Sequence, residues 1–217
     1  DAGSFMDPYY SPGLDHASMS VWATVRLIGR ELAGELDEAA LQAALDSHNG
    51  DFFRSYDRWL EAIYVDKYEL MGDAELTVSN FLFDTGMYYL GIVQSRFDDI
   101  EMLGTPAFGE DIWQAKLAAK TMIAFKRRLI QLARYRRAIG NYGKKNLNWR
   151  VYPTPFDPKR KHALRLVRIA LGIWWDVERE YLWYRLTHRK PKVEVPGPYR
   201  GGEEAMAPAA ESMVAAP

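Results

Sequence analysis

Apolar side chains recur every three or four residues through most of this chain, as they do along one face of an α-helix. Gly34, residues 48–50 and Gly72 interrupt the pattern with residues typical of turns. The pattern predicts helices at about 13–32, 37–47, 51–71, 74–97, 110–139 and 158–188. The fold class predicted for the chain as given is therefore mainly α.

Composition narrows the class of protein further. The chain has 217 residues and is 48% hydrophobic, which is enough to bury the core of one domain or one large lobe. It contains no cysteine, which excludes disulfides and thiolate metal sites. No apolar run reaches the roughly 18 residues that a membrane-spanning helix needs. We expect a cytoplasmic protein, either free or peripheral to a membrane.

One acidic cluster has the composition of a metal site. Asp98, Asp99 and Glu101 lie close together in sequence. No histidine stands three or four residues away to complete a ligand set, so the cluster is interpreted as an acidic patch in a loop or at a helix end. The sequence predicts no metal site.

The first sixteen residues have the character of a loop that grips a ligand. Gly3 lets a backbone approach a ligand closely, and Pro8 and Pro12 stiffen the loop. Gly13 then opens a helix, whose free N–H groups and positive dipole end favour an anion or a polarised carbonyl. If these residues bind no ligand, they simply form a turn before a helix.

The spacing Asp-Ala-Gly-x4-Pro-x4-Gly-Leu-Asp resembles the second FAD-binding motif of flavin-dependent monooxygenases of the hydroxybenzoate hydroxylase type. Within that group, residues 5–13 are most similar to the flavin-dependent halogenases and their relatives. The resemblance covers about the first twenty residues. It implies that the chain is the helical C-terminal portion of an α/β FAD-binding flavoprotein of the glutathione-reductase type.

The resemblance also implies roles for individual residues. Asp1 would accept hydrogen bonds from the ribityl hydroxyls of FAD, and Pro8 would lie along the flavin edge. The N–H groups of Gly13 and Leu14 would face the pyrimidine end of the isoalloxazine, where reduced flavin accumulates negative charge. The remaining cofactor-binding residues predicted from the motif are Gly3 and Asp15.

Three further residues are candidates for a substrate pocket beside the flavin. Tyr9 and Tyr10 either line this pocket or are packing aromatics. His16, one turn inside the helix, lies either near the flavin or in the helix-to-core packing. In halogenases a backbone amide close to the position of Pro12 helps to bind halide. Proline has no N–H and cannot take that role. Halide binding is therefore in doubt, and no catalytic residue is assigned.

The resemblance and the composition together divide the chain into three parts. Residues 1–33 would be the end of the FAD-binding domain, 34–189 a helical C-terminal lobe and 190–217 a disordered tail rich in proline, glycine and alanine. No strand followed by G-x-G-x-x-G supplies the other half of a dinucleotide site. We therefore expect a C-terminal fragment of a longer protein, with a processed mature chain as the alternative.

The implied activity is that of an FAD-dependent oxidoreductase, a monooxygenase or halogenase-like enzyme. External flavin reductase or NAD(P)H would reduce the FAD, and the substrate would be an aromatic molecule or one linked to a carrier or lipid. A first alternative is a geranylgeranyl-reductase-like enzyme that uses FAD to reduce prenyl or lipid substrates. A second is a basic helical interaction module without enzymatic activity.

Charge is distributed unequally along the chain. Residues 1–110 hold 20 Asp and Glu against 6 Lys and Arg, whereas 111–217 hold 9 against 22. Either oppositely charged surfaces face each other inside one helical lobe, or a basic surface through 116–168 contacts a membrane or an acidic protein. No base-reading motif accompanies the charge, so nucleic acid is not expected.

Two helices concentrate the basic residues. The helix at 110–139 is predicted to carry on its outer face Lys116, Lys120, Lys126, Arg127, Arg128, Arg134, Arg136 and Arg137. The helix at 158–188 contains three tryptophans, Trp174, Trp175 and Trp183, which are flanked in sequence by Arg179, Arg185 and Arg189. Packing against the lobe is the first interpretation of this second group, and a membrane interface or a subunit contact is the alternative.

Overall fold

A computed structural model describes residues 12–88, 113–144 and 160–188. Over these ranges the chain forms five α-helices and no strand: α1 (Pro12–Leu32), α2 (Glu38–Trp59), α3 (Ala74–Tyr88), α4 (Trp113–Ala138) and α5 (Arg160–Thr187). A π-helical turn (Leu60–Tyr64) and a 3-10 turn (Lys67–Leu70) join α2 to α3. The mainly α class is confirmed. None of the helices in these ranges has a stretch long and apolar enough to cross a bilayer.

Local signals set several helix ends as predicted. Gly34 follows α1 with a φ of +69°, a conformation that strains residues with a Cβ. Asp37 caps α2, since its Oδ1 accepts a hydrogen bond from the N–H of Ala40 at 2.8 Å. Asp73 caps α3 in the same way, since its Oδ1 accepts a hydrogen bond from the N–H of Leu76 at 3.2 Å.

The predicted break at residues 48–50 is wrong, because α2 runs through them without interruption. A glycine in a helix interior costs only about 1 kcal/mol relative to alanine. Continuing the helix keeps Phe52 against α1 and brings Ser55 and Trp59 into the interior. Tertiary packing therefore outweighs the local turn signal.

The predicted extension of this helix to residue 71 is also wrong. The α-helix gives way at Leu60 to the π-helical turn, in which the N–H of Val65 donates to the carbonyl of Leu60 at 3.1 Å. Asp66 then adopts a left-handed conformation with a φ of 60°, which aspartate tolerates better than most residues. The chain thereby turns into the 3-10 segment and on to α3.

The core lies where α3, α4 and α5 pack together. Phe125 of α4 stacks on Phe83 of α3, with ring centroids 4.1 Å apart, and lies 5.3 Å from the ring of Trp174 of α5. Leu129 and Leu132, one and two turns further along α4, are fully buried. Helix α4 is thus the central element of the lobe.

Helices α1 and α2 form an antiparallel pair beside this core. His16 contacts Phe52, and Thr24 lies 3.3 Å from the Nε2 of His48, so the two helices run in opposite directions. Met19 is the α1 residue that joins the buried core cluster. The predicted boundary at residue 33 falls at the end of α1, and the predicted tail lies outside the described residues.

Candidate functional site

The predicted site divides between described and undescribed residues. Five of its members lie outside the described ranges: Asp1, Gly3, Pro8, Tyr9 and Tyr10. The acidic cluster at 98–101 also lies outside them. The other four members stand together in the first turn of α1: Gly13, Leu14, Asp15 and His16.

The start of α1 has the features that anion binding requires. The helix begins at Pro12, a residue well suited to the first helical position because its missing N–H would have no partner there. The N–H groups of Gly13 and Leu14 lie in the first turn, before the residues whose N–H groups donate to carbonyls four residues back. The side chain of Leu14 is exposed. The turn therefore offers backbone donors at the positive end of the helix dipole.

The carboxylate of Asp15 connects this turn to the end of α3. Its Oδ2 accepts a hydrogen bond from the hydroxyl of Tyr88 at 3.1 Å, and both side chains are half-buried. The two residues are 73 positions apart in the chain, so no local pattern predicted the contact. The bond fixes the first turn of α1 relative to the helical lobe.

His16 is buried in the packing of α1 on α2. Its ring lies 4.7 Å from that of Phe52 and 6.3 Å from that of Tyr56. Burial lowers the pKa of His16, opposed by a hydrogen bond with the backbone of Phe52, so the imidazole is neutral at pH 7. Its Nε2 is buried and has no hydrogen-bond partner among the described residues. This position favours packing, the second of the two predicted roles, over an open place in a pocket.

A second concentration of chemistry lies around Arg136 of α4, which is buried. Its Nη1 lies 2.8 and 2.9 Å from the two carboxylate oxygens of Asp73, and its Nη2 lies 2.6 Å from Glu75. Its Nε and Nη2 donate to Glu180 of α5 at 3.0 and 2.7 Å. Burial opposes the charge of Arg136, but the bonds and charges of Glu180 and Asp73 raise its pKa. One guanidinium thus binds α3, α4 and α5 together.

Glu69, in the 3-10 turn, is the partner of two further arginines. Arg134 donates to it from Nε at 3.0 Å and Arg137 from Nη1 at 3.2 Å. The hydrogen bond from Arg134 is the main cause that lowers the pKa of Glu69. Tyr142, just after α4, donates to the Glu69 carbonyl at 2.7 Å and accepts from the N–H of Gly72 at 2.9 Å. These bonds hold the turn before α3 against the end of α4.

A third group of buried polar side chains lies beside the π-helical turn. Lys67 donates to Asp84 at 2.9 Å, and the amide of Asn80 donates to the same oxygen at 2.6 Å. Burial raises the pKa of Asp84 despite the nearby charge of Lys67. Lys126 donates to the carbonyl of Glu61, and burial lowers the pKa of Lys126 to about 8. Groups with perturbed pKa values occur at functional sites and in structural networks alike.

These contacts correct the prediction that α4 carries its basic residues on an outer face. Lys126, Arg134 and Arg136 are buried, and Arg128 is half-buried beside Glu178. Arg127 and Arg137 are exposed but still pair with Glu61 and Glu69 respectively. Lys116 and Lys120 are exposed as predicted. The acidic first part of the chain and this basic helix therefore face each other inside one lobe, as the first interpretation of the charge asymmetry held.

An open cleft of about 550 Å³ lies between α3, α4 and α5. Leu82, Ile173 and Trp183 contribute apolar walls, and Arg136 and Glu180 contribute charge. Polar and apolar side chains both line the cleft, and the charge of Arg136 is already compensated by the carboxylates to which it is bonded. Its lining residues come from three helices that sequence spacing alone does not bring together.

Metal binding has no support within the described ranges, where no group of three or more His, Cys, Asp or Glu residues could hold an ion. Comparison with known proteins identifies no relative: no family model, no curated protein and no solved structure matches the chain.

Proposed function

We propose that this chain is part of an FAD-dependent oxidoreductase, in which residues 1–16 bind the flavin and the helical lobe lies beside the substrate. The observation that carries the proposal is the coincidence of the FAD-like sequence motif with the start of a helix at Pro12. A motif of this kind requires backbone N–H groups at its end, and the first turn of α1 offers them.

The residues of α1 would act on the flavin through charge and hydrogen bonding. The N–H groups of Gly13 and Leu14 would bind the pyrimidine edge of the isoalloxazine and stabilise negative charge there. FAD, when bound, would supply the electron transfer and the reaction with oxygen. Asp1 and Gly3 would complete the binding loop, and the bond from Tyr88 to Asp15 would keep the helix start at a fixed position.

The substrate would lie between the flavin and the helical lobe. Tyr9 and Tyr10 would present aromatic faces to it, which suits an aromatic substrate or one linked to a carrier or lipid. The electron donor would be an external flavin reductase or NAD(P)H. Because Pro12 has no N–H, we favour oxygenation over halogenation.

The test uses the full product of the gene, purified and examined for bound flavin by its absorption spectrum. The informative variant is Leu14→Pro, compared with Leu14→Ala. Both replace an exposed side chain, but only proline removes the N–H, and the first turn of a helix tolerates proline. Loss of a hydrogen bond to a charged group should weaken FAD binding about tenfold or more in the proline variant alone.

Two outcomes would contradict the proposal. A wild-type protein that contains no flavin and does not bind added FAD would rule it out and favour the non-enzymatic interaction module. If the two Leu14 variants bind FAD with equal affinity and have the same helix content by circular dichroism, the N–H of residue 14 does not bind the flavin.

A related activity shares the same cofactor site, namely FAD-dependent reduction of prenyl or lipid substrates. It is favoured by the exposed leucine and tryptophan side chains along α5, which suit contact with an apolar chain. Incorporation of isotopically labelled O₂ into the product separates the two activities, because reduced flavin consumes oxygen in either case but only the monooxygenase transfers an oxygen atom to its product.

A further inference from the structure

Helix α5 has two apolar faces on opposite sides. The inner face packs in the core through Leu166, Ile173, Val177 and Tyr184. The outer face is exposed, and we define it by Leu164, Leu171, Trp175, Leu182 and Leu186. At about 100° per residue these five positions fall on one side of the helix, about half a turn from the inner face. They form a row roughly 33 Å long at 1.5 Å per residue.

The row is not an ordinary solvated surface. Leu164 is 80% exposed, Trp175 69% and Leu186 86%, so large apolar side chains stand in water along the full helix. Single exposed apolar residues are common, but a continuous row of them marks a surface that another phase or molecule covers.

Arginines border the row. Arg168, Arg179 and Arg185 are exposed and project on either side of it by helical spacing. Basic residues also flank the helix in sequence, at 159–161 and 189–192. Within the described helix, positive charge therefore borders the row from Arg168 to Arg185.

The acidic residues of α5 do not cancel this charge. Glu178 accepts from Arg128 of α4 at 2.7 Å, and Glu180 from Arg136 at 2.7 Å, so both are neutralised on the inner side. Asp176 lies 3.4 Å from Arg179 in an exposed pair, which is worth little in water. The ion pairs that build the lobe thus leave the outer side of α5 cationic.

We propose that the outer face of α5 docks onto an anionic lipid surface. Its leucines and Trp175 enter the boundary between headgroups and acyl chains, while Arg168 and Arg185 bind lipid phosphates. A second copy of the chain is a poorer occupant, because pairing two such faces brings arginines of like charge together. This inference does not depend on flavin binding.

The test is sedimentation of the purified full chain with vesicles. One set is pure phosphatidylcholine, and the other contains about one quarter phosphatidylglycerol at the same total lipid. We expect binding to the anionic vesicles, little to the neutral ones, and release as salt is raised. Bromine-labelled acyl chains should quench tryptophan fluorescence in the wild type, and Trp175→Phe should lose most of that quenching.

Variants locate the binding surface. Leu171→Glu with Trp175→Glu should reduce binding at least tenfold, since each places a charge among lipid tails. Arg168→Gln and Arg185→Gln should each reduce binding to anionic vesicles about fivefold without affecting the neutral set. The matched control is Phe53→Glu, which places the same charge on a single exposed apolar residue of α2 and should bind as the wild type does. Urea unfolding establishes that every variant is folded.

Each remaining outcome overturns the proposal. Equal binding to neutral and anionic vesicles, or no binding to either, removes the lipid surface as the partner. Binding that survives Leu171→Glu with Trp175→Glu places the contact elsewhere. A wild-type oligomer that Leu171→Glu converts to monomer identifies a second copy as the occupant, and preferential binding to an acidic polypeptide identifies a protein. The bound flavin, measured in the same samples, should be unchanged in all α5 variants, so a failure here is distinct from a failure of the proposed function.

Discussion

Helices α4 and α5 are both rich in arginine and lysine, yet they use these residues in opposite ways. On α4 the cations Lys126, Arg134 and Arg136 lie inside the lobe and are bonded to acids or carbonyls. On α5 arginines such as Arg168 and Arg185 stand at the surface. The difference arises because the acidic residues of the 3-10 turn and α3 lie opposite α4. Composition alone does not show which basic helix is available to a partner.

The two groups of charges also differ in energetic consequence. A buried cation has lost its hydration, so its charge is tolerated only if its donors are bonded to protein acceptors. Arg136 meets this condition through Asp73, Glu75 and Glu180. An exposed arginine keeps its hydration and contributes little to folding stability. The basic residues of α4 therefore contribute to folding stability, whereas those of α5 are available to bind a partner.

The largest expected effect is that of Arg136→Met. The change leaves the buried Asp73 and the half-buried Glu180 without their cation, and breaking a buried pair from one side costs about 3 to 5 kcal/mol. Urea denaturation should show this loss in the free energy of unfolding. Arg185→Met is the matched control on α5 and should change it by less than about 0.5 kcal/mol. If both changes lower the free energy of unfolding by similarly small amounts, Arg136 of α4 contributes no more to stability than the exposed Arg185 of α5 does.

The next prediction compares two leucines. Leu132 is fully buried in α4, and Leu171 is exposed on the outer face of α5. Leu132→Ala should lower the free energy of unfolding by about 2 to 5 kcal/mol, because it leaves a cavity. Leu171→Ala should change it by no more than about 0.5 kcal/mol. A loss of several kcal/mol from Leu171→Ala would mean that another part of the chain covers the outer face.

The smallest effect depends on pH. The pKa of Lys126 falls from an ordinary value near 10.5 to about 8 in the folded protein. Between these values the unfolded chain binds more protons, so stability rises with pH. Relative to Lys126→Met, the wild type should gain at most about 3 kcal/mol from pH 8 to pH 10.5. Thermal unfolding at intervals across this range measures the gain, and a constant difference would show that Lys126 is well hydrated.

Much of the helical framework could be predicted from sequence, because caps and periodicity act locally. Asp37 and Gly34 were identified by residue types that favour those positions, and α1 begins at Pro12, one residue before the predicted start at Gly13. The continuity of α2 through Gly50 could not be predicted, since it depends on packing against α1. The turn from π-helix to 3-10 helix likewise has no local sequence signature that periodicity detects.

The site was less predictable than the fold. The helix start that follows the motif was found from sequence, whereas the bond between Asp15 and Tyr88 joins residues 73 positions apart. The ion pairs of Arg136 span 44 to 63 positions. Helical periodicity shows which residues of α4 share a face, but it does not show which element packs against that face. The basic face of α4 was therefore predicted to be exposed, although acidic residues of the 3-10 turn and α3 pack against it. Long-range complementarity is a property of the assembled lobe.

The π-helical turn at Leu60–Tyr64 has a consequence for how this chain tolerates change in length. A π-turn holds about one residue more than an α-turn, so it has the effect of a single-residue insertion absorbed within a helix. Removing one residue there would restore α-helical spacing and leave the residues on either side in their present directions. The same deletion inside a regular helix such as α4 would rotate every position that follows by about 100°. A deletion of one residue should therefore be accepted more readily within Leu60–Tyr64 than within α4.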